Sequence, residues 1–229
     1  KELLAVSNLG SASQSIIKVD MQAKKLTYVQ SVKPFEGLGQ NCHGTRFYPT
    51  DEGSSHILAS TAQRKHIPES LMVRFYDWHK NETLADLMMN TTRHAGLGPQ
   101  DVFFMDKFNL LVVFTPNLVF PTKQPKLRPC RMIIPQVLSS RLVHFRLLFD
   151  LDNIVPNKTA VHDRTFLELQ SIDLEYTHPD SIGYKNGVVI MSDQFNDQVT
   201  FVEVDPTGAA NMSFIDALTG YHMNHGVAI

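Results

Sequence analysis

The feature that most constrains this chain is a recurrence of short β-forming segments in one fixed order. Four segments open with a polar residue, continue through a small or polar one, and end in β-formers: His43 to Phe47, Gln100 to Phe104, Asp180 to Tyr184 and His225 to Ile229. A more apolar run follows a short turn, as in "ELLAVSN" from Glu2, "HILASTA" from His56, "NLLVVFT" from Asn109 and "GVVIMSD" from Gly187. Runs of this kind suit strands buried on both faces. A third type alternates apolar and polar residues with period two: "SIIKVDM" from Ser15, "LMVRFYDW" from Leu71, "RLVHFRLLF" from Arg141 and "QVTFVEVD" from Gln198. That period gives the strand one wetter face. The fourth type is the most polar: "KLTYVQSV" from Lys25, "TLADLMM" from Thr83, "TFLELQSI" from Thr165 and "NMSFIDAL" from Asn211. It reads as an outermost strand.

Four antiparallel strands, apolar inside and polar at the rim, repeated along the chain, predict an all-β fold made of propeller blades. The units are residues 225–229 with 1–32, then 43–89, 100–172 and 180–218, forming a single domain. The two ends of the chain together spell one blade, so closure by shared terminal strands gives four blades. A segment of a larger propeller would read the same way. The third unit is the longest because Asn117 to Ser140, with Pro121, Pro125, Pro129 and Pro135, separates two of its strands, and a further loop runs from Asp152 to Asp163. Two stretches, Pro68 to Met89 and Pro135 to Asp150, also carry helix-like apolar spacing. Strands are preferred there because Val, Phe, Tyr and Trp crowd both and each fills the third position of the repeat.

Two stretches carry a family likeness: "LLAVSNLGSASQSIIKVD" from Leu3 to Asp20 and "GVVIMSDQFNDQVTFVEVD" from Gly187 to Asp205. Each is an apolar strand, a small polar turn and a strand ending in Val-Asp. In this they resemble the propeller superfamily that includes the YVTN, NHL, lactonase and SMP-30-like proteins. The resemblance implies the architecture and leaves the activity open, because one fold hosts many functions. The Gly-His and Trp-Asp marks of WD40 repeats are absent, as are acidic residues at the blade openings that an SMP-30-like calcium site would use.

In a propeller the innermost strands line a central channel, so their opening residues should gather at one mouth. That places His43, Gln100, Asp180 and His225 together, with Asp101 and Ser181 beside them. Two imidazoles and a carboxylate could hold a divalent ion such as Zn²⁺, Mn²⁺ or Fe²⁺. Without a metal, His43 or His225 could act as general base with Asp180 positioning it, and Gln100, Asp101 and Ser181 would bind ligand. The competing reading is structural: these groups cap strand ends and hydrogen-bond from blade to blade. The function expected is small-molecule binding at the channel mouth, extending to lactonase-like hydrolysis or isomerisation. The alternative is a non-catalytic scaffold that offers its faces, long loops and residues such as Arg74, Tyr76 and Trp78 to a protein or glycan partner.

The remaining features bound the answer. A formal charge of −2 gives no overall field for nucleic acid, and the basic residues Lys123, Lys126, Arg128 and Arg131 sit in a proline-rich loop. No apolar run reaches the ~20 residues of a membrane span, so the chain reads as soluble. Asn-x-Ser/Thr triplets at Asn81, Asn90, Asn157 and Asn211 lean toward glycosylation and a secreted or extracytoplasmic setting. Cys42 and Cys130 lack zinc spacing, and a bridge between them is left open.

Overall fold

The computed structural model describes residues 2–37, 41–50, 55–63, 73–87, 97–116, 139–153, 166–175, 177–193 and 197–220. Among these residues fifteen strands lie in four antiparallel sheets, which form a four-bladed β-propeller. The first sheet is β1 (Glu2–Asn8), β2 (Ser13–Asp20) and β3 (Lys25–Val32). The second is β4 (Asn41–Phe47), β5 (Ile57–Gln63), β6 (Val73–Asp77) and β7 (Glu82–Leu87). The third is β8 (Leu97–Phe104), β9 (Asn109–Pro116), β10 (Ser140–Leu147) and β11 (Phe166–Leu174). The fourth is β12 (Pro179–Lys185), β13 (Val188–Asp193), β14 (Gln198–Glu203) and β15 (Ser213–Thr219). Within each sheet, sequence neighbours are sheet neighbours. Every pairing therefore joins strands that are consecutive along the chain, and loop-closure cost grows only slowly with the length of the longer connections.

The turns explain why these hairpins form. Between β12 and β13, Asn186 and Gly187 both adopt positive φ, 51° and 84°. This is the turn whose twist matches that of the flanking strands, and Asn-Gly tolerates it best. The ambiguous helix-like segments are strands β6, β7 and β10, as their β-branched and aromatic content predicts. Among the described residues no helix is long and apolar enough to cross a membrane.

Sheets stack on one another through three buried clusters. Ile16 and Val32 of the first sheet meet Leu58, Tyr76 and Trp78 of the second. Ile57, Phe75 and Leu84 meet Val102, Leu110, Val112 and Phe145 of the third. Leu111, Val113 and Leu142 meet Val189, Met191 and Val202 of the fourth. Strand β9 is buried at every position, as expected of a continuous apolar run between two neighbours, whereas β1 alternates between exposed and half-buried.

One expectation needs correction. Arg74, Tyr76 and Trp78 do not form a contact rim: Tyr76 and Trp78 are each 5% exposed, and Trp78 donates its indole N–H to the Ser55 carbonyl at 3.0 Å. Arg74 makes a two-pronged pair with Asp86, at 2.8 Å on each prong. Arg74 and Tyr76 share one face of β6, and Tyr76 and Trp78 pack with Ile16 and Val32 of the first sheet rather than facing solvent. The long proline-rich loop, most of the 152–163 loop, Cys130 and the closing segment 225–229 lie outside the described residues. Cys42 is buried, and burial pushes its thiol pKa up to about 11.

Candidate functional site

Bulges build this site. In the innermost hairpin of the second sheet, pairing passes from Cys42 opposite Ala62 directly to Thr45 opposite Ser60. His43 and Gly44 are thus left against Thr61 alone. In the third sheet Gln100 is the extra residue between Pro99 and Asp101, and in the fourth Asp180 is the extra residue between Pro179 and Ser181. A bulge releases a residue from the regular alternation and re-aims its side chain. The same device, at the same end of three successive inner strands, brings three polar side chains together.

Their contacts define protonation states. His43 Nδ1 lies 2.9 Å from the Gln100 carbonyl oxygen, which can only accept, so Nδ1 carries the proton. His43 Nε2 lies 2.7 Å from Gln100 Nε2, which donates to it. The same amide donates to Asp180 Oδ1 at 2.9 Å, and Gln100 Oε1 accepts from the Thr115 hydroxyl at 3.3 Å. Thr61 Oγ1 completes the set, receiving the Gly44 N–H at 2.7 Å and donating to the Gln100 carbonyl at 2.9 Å. Gln100 is thus a buried bridge, 1% exposed, with a half-open residue at each end. The side chains of His43 and Asp180 are 21% and 13% exposed, and His43 Nε2 stands 3.5 Å from Asp180 Oδ1.

Beneath this layer Asp101 ties three sheets. Its Oδ2 accepts the Ile182 N–H at 3.0 Å and Arg46 Nη2 at 3.2 Å, and its Oδ1 accepts the Val102 N–H at 2.9 Å. Burial pushes the Asp101 carboxyl pKa up, while Arg46 and the two amides pull it back. Gly44 is required by this approach. A Cβ at position 44 would stand 2.3 Å from Asp101 Oδ1 and 2.7 Å from its Cα, so any side chain would force the inner strands apart.

The sequence-predicted residues therefore divide. His43, Gln100 and Asp180 converge, Asp101 sits below them as a tie, Ser181 follows Asp180 on β12, and His225 lies outside the described residues. His43 and Asp180 are two of the three members of the predicted metal set. Among the described residues no group of three or more His, Cys, Asp or Glu could hold a metal ion. Asn81 is an exposed turn residue at φ 59° whose side-chain oxygen accepts the Tyr76 hydroxyl at 2.6 Å. Asn211 is exposed, and Asn90 and Asn157 lie outside the described residues.

Sequence reasoning did not single out His178. This residue is 8% exposed, its N–H donates to Asp193 Oδ2 at 2.7 Å, and burial lowers its pKa. Asp193 and Asp180 act in the opposite direction, and His43 acts with burial. Its position two residues before Asp180 was the available signal. Thr61 and Thr115 gave no signal, because a lone Thr in a strand is ordinary β-former.

No protein-family model matches the chain, and no curated protein matches it. Solved structures do. A protein from Lactobacillus plantarum is 14% identical, with a TM-score of 0.46 over 98% of this chain and 70% of that one. The periplasmic gluconolactonase of Pseudomonas aeruginosa is 14% identical, with a TM-score of 0.41 over 97% and 68%. A candidate 6-phosphogluconolactonase from Bacteroides uniformis is 10% identical, with a TM-score of 0.44 over 98% and 70%. With every one of these TM-scores below 0.5, the likenesses decide nothing about substrate or reaction.

Proposed function

We propose that the mouth formed by the bulged ends of β4, β8 and β12 binds a small polar molecule. The observation that carries this reading is that His43 and Asp180, both partly open to solvent, are joined by one buried amide. A bulge at a functional site commonly serves to aim a side chain, and three aligned bulges aim three. A hydroxylated ligand would donate hydrogen bonds to this row, replacing the Gln100 amide at His43 Nε2 or adding to the outer side of Asp180. The finer form of the proposal is a lactonase-like hydrolase or an isomerase. In it His43 Nε2, once released from Gln100, accepts a proton from water or from an acidic C–H of the ligand, and Asp180 stabilises the imidazolium.

A second reading has its own observation. Both His43 nitrogens and both Gln100 amide hydrogens are already used within the protein. This is what a clasp between blades needs, with the molecule acting as a non-catalytic scaffold for a protein or glycan partner. A thermal-shift screen of sugar lactones, sugar acids and polyols separates the two. A ligand at about 100 times its Kd should raise the melting temperature by about 5–10 °C for a chain of this size, and His43→Ala or Asp180→Asn should abolish the rise. No shift with any compound leaves the scaffold reading standing.

A further inference from the structure

The junctions between successive sheets are not alike. The second sheet meets the third, and the third the fourth, through the two larger apolar clusters. The junction of the first with the second is apolar at Ile16, Val32, Leu58, Tyr76 and Trp78, but it turns polar towards the end of β1 and the start of β2. There Gln14 and Ser60 are each 0% exposed. Gln14 Nε2 donates to Ser60 Oγ at 2.8 Å, and Ser60 Oγ donates to Gln14 Oε1 at 3.0 Å.

Register fixes what surrounds this pair. Ser7 of β1 lies opposite Gln14, and Thr45 of β4 lies opposite Ser60. Residues paired across an antiparallel ladder point to the same face, with Cβ atoms about 5 Å apart. Ser7 alternates with Leu3 and Ala5, and Thr45 with Phe47, all of which pack into the cluster between the first two sheets. Strand β1 also lies against β4. Ser7, Gln14, Ser60 and Thr45 therefore make a square of side chains across the junction. One side of the square is closed by the Gln14–Ser60 pair. On the other, Ser7 Oγ and Thr45 Oγ1 are both shut off from solvent and have no hydrogen-bond partner among the described residues. Thr45 as a whole is 6% exposed.

We propose that an ordered water molecule closes this square by bridging Ser7 Oγ and Thr45 Oγ1. A buried hydroxyl left dry is costly, and native proteins meet that cost with internal water held by about three polar partners. The two hydroxyls do not bond each other, so the bridge must both donate and accept. Gln14 supplies the third contact, because it gives only one of its two amide hydrogens to Ser60. Strand β4 is then tied on both flanks, to β8 through His43 and Arg46 and to β1 through the water.

A crystal structure refined before any water is placed should show a density peak about 2.8 Å from both hydroxyl oxygens. No peak there, or one within reach of a single hydroxyl, overturns the proposal. Urea denaturation gives an independent test, because a wet and a dry site respond with opposite sign. Thr45→Val keeps the shape and removes the hydroxyl, so it should lower the folding equilibrium constant about tenfold as the water and Ser7 lose a partner. Ser7→Ala should act in the same direction. The double variant should lose little more than the worse single one, since both residues work through one water. A Thr45→Val chain as stable as the unsubstituted protein, or more stable, overturns the proposal, and so do losses that simply add in the double variant.

Discussion

Among the described residues two imidazole–amide chains can be compared, one in the core of the third sheet and one at the bulged ends of β4, β8 and β12. In the core, His144 is 0% exposed. Its Nε2 donates to Asn109 Oδ1 at 3.0 Å and its Nδ1 accepts from Gln170 Nε2 at 3.1 Å. Asn109 in turn donates to Asp106 at 2.7 Å, and Gln170 to the Asp205 carbonyl at 2.8 Å. The chain thus braces β9, β10 and β11 and reaches the loop after β14. At the mouth, His43 is bonded at both nitrogens in the same manner, yet its side chain is 21% exposed. Identical chemistry differs here in its access to water. A buried imidazole that loses its partners leaves them orphaned in a dry core, whereas a mouth imidazole leaves partners that water can reach.

The sharpest way to break this comparison is substitution of the core histidine. His144→Ala removes a donor and an acceptor from two buried amides and opens a cavity, so it should cost about 4 kcal/mol in urea unfolding. A cost below about 1 kcal/mol would mean that the core chain relaxes as readily as the mouth.

Acid should reveal the same contrast with no substitution. Burial is the main cause, with Arg146 assisting, of a His144 pKa lowered to about 4 from an ordinary 6.5. The unfolded chain therefore binds this proton more tightly than the folded one. Above pH 6.5 the residue contributes no pH dependence. As pH falls from 6.5 to 4 it removes stability, reaching about 3 kcal/mol once both states are protonated. Urea midpoints at pH 7.5 and pH 4.5 measure this loss, and the His144→Ala chain should show a loss smaller by that amount.

The smallest effect belongs to the mouth. His43→Ala should cost about 1 kcal/mol, because Gln100 keeps Asp180 as an acceptor and water can fill the vacated place. Chemical denaturation of the two alanine variants side by side tests the ranking. Equal costs would make the channel mouth as much a part of the core as β10.

The order of strands and the inner-to-outer gradient were legible in the sequence, since β-branched runs, period-two alternation and Asn-Gly turns act over a few residues. The polar openings at positions 43, 100 and 180 were legible for the same reason, as the repeat aligned them. The bulges were not. Whether Gln100 pairs with a neighbour or stands out from the ladder depends on register against β9, and no local preference encodes register by itself. The rim role expected of Tyr76 and Trp78 failed on a related point: alternation tells which residues share a face, but only the neighbouring sheet decides which face is wet.

By itself, then, the sequence determined that this chain makes four successive sheets of antiparallel hairpins, because that outcome rests on local geometry and side-chain periodicity. Tertiary structure alone decided that His43, Gln100 and Asp180 share one hydrogen-bonded row, that Gly44 lets Asp101 approach, and that His144 is sealed while His43 is not. Those facts depend on contacts between residues dozens of positions apart, where burial, and not residue type, sets what a polar group can do.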